Sequence, residues 1–356
     1  MSEKEIKDEM RELGIKRIWN TKQKKAIIAL VIIATAGIVG GFLIVEYNRV
    51  QNRIILATTT STYDSGLLDI LVPVWEGQTG FTVEILSVGT GAALRNGESG
   101  DADVLLVHSR SREDDFIAAG YGLYRTCVMY NDFILIGPAS DPADLLNAIN
   151  ITDAMTRIKD ESELGNANFT SRGDASGTHL KELLLWSLVE GFVPDPAVNT
   201  WYDEAGEGMG ATLTIANQQN SYTLIDRGTW LANKDDVSLI LVYEANDSID
   251  IDKNLLNPYG AMLVNPLIHQ GIKYEKAMSF VAFLVSEQGQ KLIGEFKKEG
   301  ELLFTPCFGK CNETHDCTTT EDEVEFWSQH NGGHIRTTSG PSLASADYPL
   351  YGTVSI

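Results

Sequence analysis

Residues 53–107 read RIILATTTSTYDSGLLDILVPVWEGQTGFTVEILSVGTGAALRNGESGDADVLLV, and this stretch decides the fold. Residues 54–58 form a short apolar strand that runs into the polar sequence Thr58-Thr59-Thr60-Ser61-Thr62. A helix follows, capped by Asp64 or Ser65, with Leu67, Leu68, Leu71, Val74 and Trp75 recurring on one face. Pro73 inside it is expected to kink or shorten it. Residues 81–88 alternate as a strand and end at Gly89-Thr90-Gly91, and 92–97 open a short helix. A buried strand over 104–107, a glycine-closed helix over 113–120 and a strand over 128–137 complete the series. This βαβαβ rhythm predicts an α/β protein with a doubly wound open sheet.

Beyond Pro138 and Pro142 the alternation resumes. A helix is expected over 151–158 and a strand over 168–171, which leads into SRGDASGTH (171–179). A long helix then carries Leu180, Leu183, Leu184 and Leu188 as its buried stripe. Further strands are expected over 222–226, 238–243 and 257–264, and an amphipathic helix over 274–293. Residues 307–356 are polar and turn-rich, without periodicity, and no internal repeat is present.

In the other direction the chain changes character. Residues 1–25 hold 8 basic and 5 acidic side chains, so they carry +3 of the total −21 and leave −24 on the remainder. Residues 26–45, AIIALVIIATAGIVGGFLIV, are 20 residues without a charge, enough to cross a bilayer core as one helix. The flanking basic residues place the N-terminus in the cytoplasm and everything after Val45 outside, as a single-pass anchor. The alternative is a signal peptide cleaved near Ala34-Thr35-Ala36. A remainder this acidic offers nothing to neutralise a phosphate backbone, which excludes a nucleic-acid partner.

Three polar segments share one placement. Residues 58–61, 89–91 and 172–178 each lie at the C-terminal end of a strand just before a helix, where open α/β sheets bind ligands. Hydroxyls, glycines and the amide groups of helix starts are donors for an anion. Arg172 adds a fixed positive charge with a geometry suited to an oxyanion, and Asp174 is placed to hold its guanidinium. Enzymatic readings find little support. Ser176 and His179 share a helical turn without a third partner or a G-x-S-x-G elbow, and neither a phosphate loop nor H-E-x-x-H is present. No catalytic residue, metal site or cofactor is expected.

Six ordered blocks then resemble a known family: TTTSTYDSGLLD (58–69), VGTGAALRNGESGDADVLLVHS (88–109), VMYNDFILIGP (128–138), SRGDASGTH (171–179), YTLIDRGTW (222–230) and NPYGAMLVNP (257–266). Together they are similar to the tungstate-binding components of tungstate ABC transporters. The resemblance implies a two-lobed type II periplasmic-binding-protein fold with two crossover strands, closing over one oxyanion. It implies lobe I over 53–138 and 252–306 and lobe II over 139–251. It also implies a monomeric solute-binding protein that captures tungstate or molybdate and delivers it to a permease and its ATPase. By motif, Thr60, Ser61, Thr90, Arg172, Ser176 and Thr178 are the implied oxyanion contacts, Thr59 and Tyr222 further neighbours, and Arg227 either a neighbour or half of a structural ion pair. A membrane-anchored oxyanion sensor and a phosphate- or sulfate-binding protein are the alternatives.

Tungstate and molybdate are deprotonated tetrahedral dianions at neutral pH and need donors only, whereas a carboxylate facing the ligand would favour protonated phosphate and repel the dianion. Asp103 is expected near the cleft rim, so its orientation bears on the choice. Cys127, Cys307, Cys311 and Cys317 read as two disulfides in an oxidising compartment, with three pairings open; a metal reading would enlist His315, His330 or His334. Cys127 is placed to tie the C-terminal extension to the first lobe. Asn150, Asn168, Asn246 and Asn312 begin N-x-S/T sequons.

Overall fold

The structure, a computed structural model, describes residues 21–245 and 252–309 together with Glu5 and Trp327. Two compact units are distinguished, residues 1–53 and 54–356. In the first, helix α1 (Thr21–Gln51) contains a stretch, Ala29–Gln51, long and apolar enough to cross a membrane.

After α1 come β1 (Arg53–Thr59), α2 (Thr60–Ser65), α3 (Leu68–Thr79), β2 (Thr82–Val88), α4 (Thr90–Ser99), β3 (Val104–Val107), α5 (Arg110–Ala118) and the long β4 (Gly122–Gly137). Next come α6 (Ile151–Glu163), β5 (Phe169–Ser171), α7 (Gly177–Ser187), β6 (Tyr202–Glu204), α8 (Met209–Gln219), β7 (Thr223–Asp226), α9 (Arg227–Asn233) and β8 (Ile240–Tyr243). The chain then returns through β9 (Leu256–Val264), α10 (Tyr274–Val285), α11 (Glu287–Glu295), β10 (Lys297–Lys298), β11 (Glu301–Leu302) and β12 (Thr305–Pro306).

The main sheet has the order β12-β4-β9-β3-β1-β2, with β7 and β8 also paired to β4. β1 and β3 are parallel, Leu56 opposite Val104 and Thr58 opposite Leu106. β9 enters antiparallel between β3 and β4, with Val107 opposite Gly260 and Asp132 opposite Leu256. β4 is shared: its first part pairs with β9, whereas Phe133–Ile136 pair with β7 and Leu135–Gly137 with β8. One continuous strand therefore passes from one half of the fold to the other, which is the crossover of a two-lobed α/β architecture. β5 and β6 form a separate parallel pair.

Local chemistry corrects several sequence expectations. The first helix is two helices, because Gly66 turns the chain at φ 86° and closes α2. Thr59 caps α2, its hydroxyl accepting from Thr62 N at 3.3 Å, whereas α3, the helix expected to be capped by Asp64 or Ser65, has Leu67 at its N-cap without a side-chain cap, and Ser65 Oγ accepts only from Leu67 N at 3.1 Å. Pro73 is accommodated inside α3. The helix expected over 274–293 breaks at Ser286, whose hydroxyl caps α11 by accepting from Gly289 N. Periodicity did not reveal α8 or α9.

Trp75 packs edge-on to Phe280 in one core cluster, with Leu56, Leu71, Leu106 and Leu263. A second cluster surrounds Trp186, with Phe133, Phe169, Tyr202 and Tyr222. Glu113 and Arg125 form a fully buried ion pair at 2.7 Å, and Glu113 also accepts from Ser109 N. This pair crosses β9 at Gly260, where a Cβ would stand 2.5 Å from Glu113 Oε2, so only glycine fits.

The C-terminal extension contributes to this core. Trp327 is 0% exposed, donates from Nε1 to Thr126 Oγ1 at 2.5 Å and meets Tyr124 edge-on. Next to Thr126, buried Cys127 is disulfide-bonded, and Cys307 Sγ lies 3.1 Å from Cys127 Sγ. Cys311, Cys317, His315, His330, His334, Asn246 and Asn312 lie outside the described residues. Among the described residues no group of three or more His, Cys, Asp or Glu side chains is arranged to hold a metal ion.

Removing a buried tryptophan side chain costs about 3–5 kcal/mol. Trp327→Ala is therefore expected to destabilise the chain by about that amount, read as a lower urea midpoint for the detergent-solubilised protein; an unchanged midpoint would show that the extension adds nothing to the core.

Candidate functional site

The parallel register of β1 and β3 brings their C-terminal ends side by side. Thr58 is buried and donates to Leu106 O at 2.7 Å, which locks that register. Thr59 is 4% exposed; its hydroxyl lies 3.1 Å from Ser61 Oγ and 2.6 Å from Thr62 Oγ1. Thr60 is exposed and Ser61 half-buried, at the start of α2.

One residue past β3 lies His108. Its Nε2 is 3.4 Å from Ser61 Oγ and its Nδ1 3.0 Å from Asn257 Oδ1 on β9. Asn257 Nδ2 donates to Asn131 Oδ1, so Asn257 Oδ1 is the acceptor and His108 carries its proton on Nδ1. The ring packs against Tyr259, centroids 4.7 Å apart and planes tilted by 34°. Burial is the main cause that lowers the imidazole to about 4; nearby Asp226 and Asn257 oppose this and Arg172 reinforces it. At neutral pH the ring is therefore uncharged.

In the second segment, Gly89 has extended backbone before α4 and Thr90 is buried at the helix start. Next to Gly91, a built Cβ would lie 3.5 Å from the guanidinium nitrogens of both Arg95 and Arg112. Arg112, from α5, donates through Nη2 to Ala175 O at 2.9 Å. The second and third segments are thus linked through one side chain.

The third segment is a tight turn, with Gly173 at φ 62° and Ala175 at φ 54°. Its amides are used internally: Gly173 N donates to Ser171 Oγ, Ala175 N to His179 Nδ1 and Ser176 N to Asp174 Oδ1. At the start of α7 the Ser176 hydroxyl caps the helix by accepting from His179 N at 3.3 Å, Thr178 is 3% exposed, and the first amides are those that helix geometry leaves without intrahelical partners. Arg172 Nε donates to Asp174 Oδ2 at 2.9 Å and Nη1 to Thr178 Oγ1 at 3.4 Å, so Asp174 does hold the guanidinium. Gly177 lies against His108, its built Cβ 3.4 Å from His108 O. Through His108 and Arg112 the structure brings the three segments together.

Two of the further neighbours are engaged elsewhere. Tyr222 is 0% exposed; its hydroxyl donates to Asp141 Oδ1 and accepts from Ala143 N in the second core cluster. Arg227 takes the structural role: it donates to both Asp132 oxygens and to Glu244, each at 2.6 Å. These groups line a cavity of about 620 Å³ with Asn131 and Phe304, and its two carboxylates make it a poor seat for a dianion.

Asp103 corrects the expectation of a rim position. It precedes β3 and so sits at the opposite end from the three polar segments, 3% exposed. Its Oδ2 accepts from Ile55 N at 2.8 Å and Oδ1 from Lys273 N at 2.7 Å. Sequence reading missed His108, Arg112, Asn257 and Tyr259. For His108 the signal was available, since it follows a strand as the three segments do.

Residues 44–288 match the model of the PBP superfamily domain. The tungstate-binding protein of Peptoclostridium acidaminophilum is 47% identical over 266 residues, which cover 74% of this chain and 88% of that protein. The tungstate-binding protein structure from Desulfovibrio alaskensis G20 is 40% identical with a TM-score of 0.63, over 71% of this chain and 98% of the other. The structure described as the tungstate ABC transporter from Geobacter sulfurreducens is 42% identical with a TM-score of 0.61, over 68% and 98%. On this similarity and on the two-lobed α/β topology, the chain belongs to the PBP superfamily and, within it, to the family that contains these tungstate-binding proteins.

Proposed function

We propose that this chain is an extracytoplasmic solute-binding protein that captures tungstate, with molybdate as the nearest competitor, and hands it to an ABC permease driven by its ATPase. The observation that carries the reading is the convergence of three hydroxyl-bearing helix starts beside Arg172, while Asp103 is saturated by two amides at the far end of β3. Thr60, Ser61, Thr90, Arg172, Ser176 and Thr178 are the oxyanion contacts, with Thr59 shaping the first turn. Lobe I comprises 53–138 and 252–306, lobe II 139–251, and the chain acts as a monomer. Arg112, donating to Ala175 O, helps draw the two lobes together. Donors without a facing carboxylate suit a deprotonated dianion, and neutral His108 adds no acid of its own.

Calorimetric titration of the detergent-solubilised full chain with tungstate, molybdate, sulfate and phosphate tests this reading. Tungstate is expected to bind most tightly, with molybdate next; a preference for phosphate, or no binding, would overturn it. Loss of a charged hydrogen-bonding group costs about 1.5–3 kcal/mol, or roughly ten- to a hundredfold. Arg172→Ala is expected to weaken tungstate binding by that factor with an unchanged unfolding midpoint, and wild-type affinity would move the site elsewhere.

Residues 26–45, within α1, serve as an uncleaved anchor in this reading. The full-length chain should then stay in the membrane fraction after an alkaline carbonate wash. A released chain lacking its first residues would show that the segment is a cleaved signal instead.

A further inference from the structure

Behind the Arg172 turn lies a carboxylate that no motif singled out. Glu182, on α7, is 1% exposed. Its Oε1 accepts from Tyr202 OH at 2.6 Å and its Oε2 from Ser171 Oγ at 3.0 Å. Tyr202 OH also lies 2.9 Å from Ser171 Oγ, which closes a triangle of hydroxyls and carboxylate beneath the turn. Ser171 Oγ in turn accepts from Gly173 N at 3.1 Å. A Cβ on Gly173 would stand 2.6 Å from Glu204 Cβ, so β6 blocks the turn from moving that way. Ser171 is thus fixed directly and Gly173 through one bridge by a single side chain, and the guanidinium leaves from the residue between them.

We propose that Glu182 is the positioning residue that sets the Arg172 turn and, through it, the affinity of the oxyanion site. This inference rests on the function proposed for that site.

Keeping the carboxylate buried works against the fold. Burial raises Glu182 to about 7, opposed by the hydrogen bonds from Tyr202 and Ser171. A folded pKa above the ordinary carboxylate value means that the stability it contributes is present at low pH and is lost as pH rises through about 7. A glutamine would fill the same space without that loss, so the charge serves the turn rather than the core. An ionised acceptor holds the Ser171 and Tyr202 hydroxyls about twice as strongly as a neutral one. The ionisable groups around it are Tyr202 and Glu204 on β6, His179 on α7 and the Arg172–Asp174 pair in the turn. Repulsion between Glu182 and a bound dianion acts in the opposite sense, and an experiment can separate the two.

The full-length wild type and Glu182→Gln are titrated with sodium tungstate in detergent from pH 6 to 8.5, with urea unfolding in parallel. The wild type is expected to gain affinity between pH 6 and 8; Glu182→Gln is expected to lose that rise, to bind roughly tenfold more weakly at pH 8.5 and to be no less stable there. Tyr202→Phe removes one donor and keeps the carboxylate, so its affinity rise is expected at higher pH than in the wild type. Wild-type or tighter affinity in Glu182→Gln, or an unshifted pH profile in Tyr202→Phe, overturns the assignment alone. A wild type that binds no tungstate overturns the proposed function with it.

Discussion

Everything at the candidate site depends on the parallel register between β1 and β3. Thr58 opposite Leu106, with the Thr58 hydroxyl on the Leu106 carbonyl, brings both strands to their C-terminal ends at the same level. From that level Thr59 can cap α2, and His108 can reach Ser61 on one side and Asn257 on the other. A slip of one residue would turn every side chain of β1 to the opposite face and separate these groups. The register is held at its other end too, where Asp103 takes the amide of Ile55.

An acidic net charge is compatible with the anion site proposed above. Net charge acts over the long range and through screening solvent, whereas binding is decided by donors within hydrogen-bond distance. The chain disposes of carboxylates near the cleft by giving each a partner. Asp174 is spent on Arg172 and on Ser176 N, Asp226 on Thr229 at the cap of α9, and Asp132 and Glu244 on Arg227. Neutral His108, which feels the opposing charges of Arg172 and Asp226, adds charge of neither sign.

Much of this was legible in the sequence because strand-then-donor segments are local. Residues 58–61, 89–91 and 171–179 each carry their hydroxyls and glycines within a single turn, and the strands preceding them follow ordinary apolar patterns. What stayed hidden depends on pairs remote in the chain. Ser61 meets His108, His108 meets Asn257, and Arg112 meets Ala175, and none of these partners is marked by a motif. Glu182 looks like an ordinary polar position on a helix until Tyr202 and Ser171 close around it. Asp103 was misplaced for a simpler reason: a residue before a parallel strand and a residue after it sit at opposite edges of the sheet. The fit of Trp327 against Thr126 gave no periodic signal at all.

The order of strands carries a further consequence for how the chain acquires its shape. β9 separates β3 from β4 in the sheet, yet it is synthesised after all of the α6-to-β8 segment. Until it arrives, the facing edges of β3 and β4 have no neighbour, and such unpaired edges invite wrong partners. The inserted segment has its own core around Trp186, Phe169 and Tyr202 and can consolidate while the flanking strands wait. Closure of the sheet is then a late, long-range event with a large loop to bridge, the kind of step that makes folding slow. The interval before residue 264 joins the sheet is the period in which a newly made chain most needs protection from aggregation.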